Sequence, residues 1–257
     1  MGTLAAEPMA TTPIDIREEA GVRTLHFGSE WIQGAMRIAR PWNLELEYTR
    51  EMMAALLLCD APRKALLIGL GAASLTKFLY RHYPLAHLTV VEIEPDVVAA
   101  ARQFFKLPED PKRLHIVIGD GAEYMLDNGK KFDLILVDGF DKNARTGALE
   151  TLPFYQACRN RLSHSGIMAV NLLTRSRGFK ASAGRIAEAF EDRALIFPSS
   201  ESGNAVALAT AGHPIEMHFD DLKENAMKLK EQTGLNLLPT LVRLARTKTC
   251  LNDRLVL

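Results

Sequence analysis

The 257-residue chain predicts a doubly wound α/β fold built on a mostly parallel, seven-stranded sheet. Two observations carry that expectation. Short apolar runs alternate with stretches of helical spacing from Ala65 to Phe190. The first four runs also end in polar signatures: turn glycines in KALLIGLG, an acid in TVVE, Asp-Gly in IVIGDG, and Asp-x-x-Asp in FDLILVDGFD. Ligands of parallel sheets gather at the carboxyl ends of the strands, so four signatures at four such ends point to one shared pocket.

Residues 1–13 read as a flexible tail. Residues 14–38 alternate apolar and polar side chains around a glycine, which predicts a β-hairpin or meander that Pro41-Trp42 ends. Residues 45–58 have helical spacing and strong helix formers, and Asp60-Ala61-Pro62 stops them. Residues 14–60 thus form a small β segment plus helix, and 61–257 the doubly wound nucleoside-binding domain with its C-terminal helices. Within that domain Ala65–Leu70 predicts a buried strand and Ala72–Tyr83 a helix stopped near Pro84. His87–Glu92 follows as a strand, and Pro95 suits the first turn of a helix reaching Phe105. Leu114–Ile118 is the third strand, Gly121–Asp127 a short helix, Asn128-Gly129 a turn and Phe132–Val137 the fourth strand. Gly139–Thr151 is polar and irregular, as expected of a lid or binding loop. A helix over Leu152–Leu162, a turn at Ser163–Gly166 and a fifth strand over Ile167–Leu172 come next. Phe179–Phe190 is helical, and Ala194–Phe197 and Ala205–Ala209 read as an antiparallel hairpin at one sheet edge. Residues 220–247 read as an amphipathic helix. The chain has no internal repeat and no low-complexity segment.

Composition removes several function classes. The net charge is zero and the pI near 7.1, so no global field draws the chain to nucleic acid or to an anionic membrane. No apolar run is long enough to span a bilayer, and the start lacks the charged and apolar regions of a secretory signal. Cys59, Cys158 and Cys250 are odd in number and widely spaced, which fits neither a metal set nor a disulfide frame and predicts a reducing, cytoplasmic setting. The seven histidines show no metal or protease spacing, and no GxSxG, P-loop or CxxC pattern occurs.

Each site motif has a functional and a structural reading. Gly69 and Gly71 allow a tight turn and close approach of backbone to a ligand, or simply turn the strand into the helix. Ser74 stands where a dinucleotide fingerprint has its third glycine, which disfavours a nicotinamide dehydrogenase. Glu92 lies 21 residues after Gly71 and can accept hydrogen bonds from both ribose hydroxyls, with Glu94 as the alternative register. Asp120, before Gly121, can accept from an exocyclic amine or cap the next helix, and the two roles are compatible. Asp138 and Asp141 can hold cationic amines or take a proton, or else frame a turn.

Together VVEIEPDVV, IVIGDGAEYM and FDLILVDGFD with Phe154-Tyr155 resemble the spermidine synthase (polyamine aminopropyltransferase) family over roughly residues 20–210. EYTREMM resembles that family's tyrosine-bearing helix start, with Tyr48 in the tyrosine's place, and IQGAM its glutamine-bearing β turn, with Gln33 near the nucleoside. The resemblance implies a methyltransferase-like Rossmann sheet behind a small N-terminal β segment. It implies decarboxylated S-adenosylmethionine as co-substrate, no permanent cofactor or metal, and a small-molecule amine acceptor; the edges of the β segment over 14–38 point to pairing across a homodimer. Gly69, Gly71 and Gly121 would shape the nucleoside site, Glu92 would hold the ribose and Asp120 the adenine. Asp138 would deprotonate the attacking amine, Tyr48 would orient it and Asp141 would help hold it.

Several positions depart from the family pattern. Ala72 replaces the acid usual in the glycine loop, KNARTGALE carries Lys142 and Arg145 where Gly-Pro-Ala-Glu is usual, and Thr49 follows the tyrosine. Asn171 precedes TRSR, with Arg175 and Arg177, where glutamine is frequent. Two further readings stay open at this point: an S-adenosylmethionine-dependent methyltransferase on another substrate, and a non-catalytic nucleoside-binding or scaffold protein.

Overall fold

The computed structural model describes residues 13–126, 129–141, 143–200, 203–247 and 250–257. Residues 1–12 of the expected tail, Asp127 and Asn128 of the expected helix end and turn, and Lys142 lie outside the described residues.

The N-terminal segment is a three-stranded antiparallel meander of β1 (Asp15–Glu19), β2 (Val22–His26) and β3 (Ile32–Arg37). Ala20 and Gly21 join β1 to β2 with φ of 48° and 75°, and left-handed backbone at both central positions matches the strand twist in a two-residue hairpin. The helix expected over 45–58 is divided. It begins as α1 (Glu47–Met52) and tightens into a 3-10 helix over Met53–Leu57. Every residue of that second half is buried, so packing against its neighbours, rather than one-sided amphipathicity, sets the winding.

The main domain follows as β4 (Lys64–Ile68), α2 (Ser74–His82), β5 (His87–Glu92), α3 (Pro95–Phe104), β6 (Leu114–Ile118), α4 (Gly121–Leu126) and β7 (Phe132–Val137). A 3-10 turn over Gly147–Glu150 leads to α5 (Leu152–Arg161), β8 (Leu162–Leu173), α6 (Phe179–Ala189), β9 (Ala194–Pro198) and β10 (Asn204–Thr210). The sheet order is β6-β5-β4-β7-β8-β10-β9. β6, β5, β4, β7 and β8 run parallel, and β10 inserts antiparallel between β8 and β9. The predicted α/β class, strand number and antiparallel edge pair are all present.

Two expectations are corrected. Ser163–Gly166 is not a turn but a bulge inside one continuous strand, because the register passes from Phe132↔Leu162 directly to Leu134↔Ile167. Ser163 Oγ donates to Asp133 Oδ1 at 2.8 Å, which satisfies part of this polar stretch at the strand edge. Residues 220–247 are not one helix but α7 (Phe219–Thr233) and α8 (Leu238–Leu244). Gly234 closes α7 in the left-handed region at φ 78°, and Pro239 opens α8. A small sheet of β11 (Glu216–His218), β12 (Cys250–Leu251) and β13 (Arg254–Val256) completes the chain. No helix among the described residues is long and apolar enough to cross a membrane.

The strand alternation explains the two cores. Ala65 and Leu67 of β4, Leu134 and Leu136 of β7, and Ile167 and Ala169 of β8 pack on one face of the sheet. Leu66, Ile68, Ile135, Val137, Met168 and Val170 pack on the other with Phe154 and Tyr155 of α5. The first core also receives the 3-10 segment and α7, and Glu51 of α1, fully buried, forms an ion pair with Arg243 of α8. The C-terminal helices thereby brace the helix that carries Tyr48.

The strand ends meet at Gly69. Asp138 N donates to Ile68 O and Gly69 N to Val91 O, both at 2.9 Å, so β4 holds its neighbours in step up to their last residues. Gly69 has φ 93°, and a Cβ there would sit 2.3 Å from the Asp138 carbonyl oxygen. Gly69→Ala is therefore expected to lower the unfolding free energy by about 2 kcal/mol or more through backbone strain and this contact, measured by urea titration against wild type.

Candidate active site

A cavity of about 1140 Å³ opens at the carboxyl ends of β4, β5, β6, β7 and β8, capped by the start of β3 and the start of α1. All nine residues singled out from the sequence line it: Gln33, Tyr48, Gly69, Gly71, Glu92, Asp120, Gly121, Asp138 and Asp141. The parallel register explains their convergence, since each signature leaves its strand at the same edge.

On one side lies an acidic, hydrogen-bond-accepting wall. Glu92 is buried, with Oε2 accepting from Leu70 N at 2.8 Å and Oε1 from Glu94 N at 3.0 Å. Burial raises its pKa, against the pull of those backbone N–H groups. Ile93 N–H also reaches the carboxylate, so three of its four lone-pair directions are taken by backbone and acceptor capacity is left for a ligand. Asp120 caps α4: its Oδ1 accepts from Ala122 N at 2.7 Å and Glu123 N at 3.1 Å. Ile93, 53% exposed, adds an apolar face to the cavity lining next to Glu92.

The opposite side is a buried hydrogen-bonded chain around Asp138. Tyr48 Oη donates to Asp138 Oδ2 at 3.1 Å, and Asn171 Nδ2 donates to Oδ1 at 2.8 Å. Asn204 Nδ2 in turn donates to Asn171 Oδ1 at 2.7 Å. Burial pushes Asp138 up to about 6, although both donors favour the ionised form. Burial, and then the charge of Asp138, hold the Tyr48 hydroxyl well above its ordinary range, so it remains a donor. Among the described residues no cation forms a salt bridge with Asp138. A carboxylate held by neutral donors keeps its basicity, whereas an arginine partner would remove it. Such a group can accept a proton near neutral pH.

Asp141 behaves differently. It is exposed, and its Oδ1 accepts from Asn143 N and Arg145 N, both at 2.8 Å. Its side chain thus folds the loop, as the turn reading of the Asp pair requires, while still lining the cavity. Arg175 and Arg177 are exposed and outside the cavity lining, so their charges do not crowd Asp138. Ala72 is buried: a Cβ on Gly34 would lie 2.7 Å from Ala72 N and from its Cβ, so β3 lies directly on the glycine turn.

Asn171 and Asn204 were not among the site residues read from the sequence. Asn171 had a usable signal, since it lies two residues before the end of β8, at the same edge as the other signatures. Asn204 had none, because it begins an antiparallel strand, and only the sheet order puts that beginning at the ligand edge.

Comparison with known proteins identifies the family and the fold. Residues 46–172 match the family model of the spermine/spermidine synthase domain. The chain is 38% identical over 224 residues to a polyamine aminopropyltransferase of Neisseria meningitidis serogroup A, covering 87% of this chain and 85% of that protein. It is 36% identical over 238 residues to the polyamine aminopropyltransferase of Chromobacterium violaceum, covering 93% and 91%. The fold is similar to the crystal structure of a probable spermidine synthase from Corynebacterium glutamicum, with a TM-score of 0.69 and 17% identity over 90% of this chain and 96% of that one.

A stability experiment isolates Asp138. Its carboxyl is raised in the fold from 3.8 to about 6, so its contribution is present below pH 4 and is lost as pH rises through 6. At pH 8 the ionised fold is penalised by roughly 3 kcal/mol, at 1.36 kcal/mol per pKa unit. Asp138→Asn is expected to unfold at higher urea than wild type at pH 8, the two converging at pH 4; equal midpoints at pH 8 would contradict the burial account.

Proposed function

The chain belongs to the spermine/spermidine synthase family, and from that membership we propose that it is an aminopropyltransferase. It moves the aminopropyl group of decarboxylated S-adenosylmethionine to an amine acceptor and releases 5′-methylthioadenosine. The observation that carries this reading is the Tyr48–Asp138–Asn171 cluster, a carboxylate with retained basicity in the same cavity as Glu92 and Asp120.

The chemistry demands such a group. An alkylammonium has a pKa near 10, so the incoming amine arrives protonated and has no lone pair to attack with. Asp138 attracts that cation and takes one proton from it. The freed nitrogen attacks the methylene carbon next to the sulfonium; the carbon–sulfur bond breaks, its electron pair stays on sulfur, and the sulfonium becomes a neutral thioether. Tyr48 holds Asp138 Oδ2 and thereby the direction from which the nitrogen approaches. Glu92 receives the ribose hydroxyls on the acceptor capacity its backbone partners leave, Asp120 the adenine amine, and Gly69, Gly71 and Gly121 leave room for the nucleoside. Gln33 closes the cavity from β3, and Asp141 anchors the loop beside the amine. The unpaired cysteines are in keeping with a cytoplasmic enzyme, and the edges of the β1-β2-β3 sheet are in keeping with a homodimer.

Incubating the protein with decarboxylated S-adenosylmethionine and putrescine, cadaverine, agmatine or spermidine tests the reading. Mass spectrometry is expected to show methylthioadenosine and one amine heavier by an aminopropyl group. Absence of both, with ordinary S-adenosylmethionine still bound, would refute it for these acceptors. Asp138→Asn is expected to lower kcat roughly 100-fold or more. In the wild type kcat/KM rises with pH through an inflection near 6, where the Asp138 carboxyl ionises.

A further inference from the structure

We propose that Asn204 is a positioning residue: it fixes the side-chain amide of Asn171 in the one orientation that donates to Asp138. An asparagine amide has a donor end and an acceptor end, and its two flipped states differ little in shape. In one state Asn171 donates to the carboxylate through Nδ2; in the other it turns Oδ1 toward it and repels it. Asn204 Nδ2 meets Asn171 Oδ1 at 2.7 Å, and with the ionised Asp138 carboxylate, an acceptor only, on the other side, it favours the first state. The selected amide then donates to Asp138 Oδ1 at 2.8 Å. Both asparagines are buried, with 3% and 8% of their surface exposed, so water competes little for either amide.

The fold builds Asn204 into place. In the β8–β10 register Asn204 lies opposite Leu173 and Val206 opposite Asn171, so the two asparagines are diagonal neighbours on one sheet face. The backbone on both sides of Asn204 is clamped. Thr174 donates to Gly203 O from its backbone N at 3.0 Å and from Oγ1 at 2.6 Å, and Ser199 N donates to Asn204 O at 2.8 Å. Gly203, at φ 70°, makes the turn that lets β10 begin there.

The inference rests on Asp138 being the base only for its effect on turnover; its effect on Asp138 itself does not. The titratable group in contact with Asp138 is Tyr48, and the other charged residues lining the cavity, Glu30, Glu45, Glu47, Glu92, Glu94, Asp120, Asp141 and Arg145, are the same in every variant compared. The ionisation of Asp138 is followed by ¹³C NMR of carboxyl-labelled aspartate in the resting protein, assigned with Asp138→Asn, beside the pH profile of kcat/KM.

Asn171→Leu removes a donor to the carboxylate and is expected to move the Asp138 midpoint up by about one pH unit. Asn204→Leu, which leaves Asn171 in place but unselected, moves it in the same direction by a smaller amount. The double variant shifts no further than Asn171→Leu alone, because Asn204 acts only through Asn171. Asn204→Ser, which restores a donor hydroxyl, returns part of the shift. An unmoved midpoint in Asn204→Leu, or a double variant whose shift is the sum of the two, overturns the inference. If the NMR midpoint moves as expected while the rate profile does not follow, the positioning role stands and Asp138 is not the base.

Discussion

The site depends on one close approach: the α-carbon of Gly69 against the carbonyl of Asp138, at a distance no side chain permits. That contact ends the β4–β7 ladder with both backbones in register, so the glycine turn and the carboxylate face the same space. β5 is tied to the same residue by Gly69 N and Val91 O, and Gly119 N donates to Glu92 O at 2.9 Å to bring β6 level. Four strand ends are therefore hydrogen-bonded to one another at the residues that matter chemically. The apolar alternation below them, with Ile68 against one core and Leu67 against the other, keeps each strand from slipping by one residue, which would turn its side chains to the wrong face.

The electrostatics of the cavity divide along the same line. Glu92 and Asp120 are organised by backbone N–H groups, which orient them without neutralising them. Asp138 is organised by side chains, all uncharged, from three separate elements: α1, β8 and, through Asn171, β10. A salt bridge in place of these donors would hold the carboxylate as firmly but would hold its pKa down, and a proton acceptor needs the opposite. Placing the arginines of the TRSR segment at the exposed surface belongs to the same design, since a cationic amine is the proposed guest.

The glycine loop shows how the fold can accommodate a departure from its family. Where related sequences usually carry an acid, Ala72 is buried beneath Gly34 of β3, and a larger residue at either position would separate the N-terminal meander from the main sheet. The loop therefore contributes space and backbone, and Glu92, Asp120 and Asp138 come from the other strand ends. The helix carrying Tyr48 is held from behind by the buried Glu51–Arg243 ion pair, so the C-terminal helices contribute to the site without touching it. Removing one partner of such a pair strands a charge in the interior, commonly at about 3–5 kcal/mol.

The sequence by itself determined the class of the fold, the strands of the sheet and the set of carboxylates at its ligand edge. Those features are written locally: in alternation, in glycine and proline punctuation, and in acids placed directly after apolar runs. Local signals misled where polar residues sit inside regular structure. Ser163–Gly166 has the composition of a turn, yet it is a bulge in β8, because Asp133 on the neighbouring strand satisfies part of it. Gly234 and Pro239 marked the break between α7 and α8, but the amphipathic pattern runs through both and conceals it. Only the tertiary structure decided which acid is desolvated and which folds its own loop. Asp138 and Asp141 look alike in the sequence, but one lies beneath α1 and β8 and the other lies in solvent-exposed backbone. Only the tertiary structure, too, brought Asn204 to Asn171, since that pairing depends on an antiparallel strand inserting next to β8. Desolvation and cross-strand contact are properties of what surrounds a residue, and the sequence near a residue does not contain its surroundings.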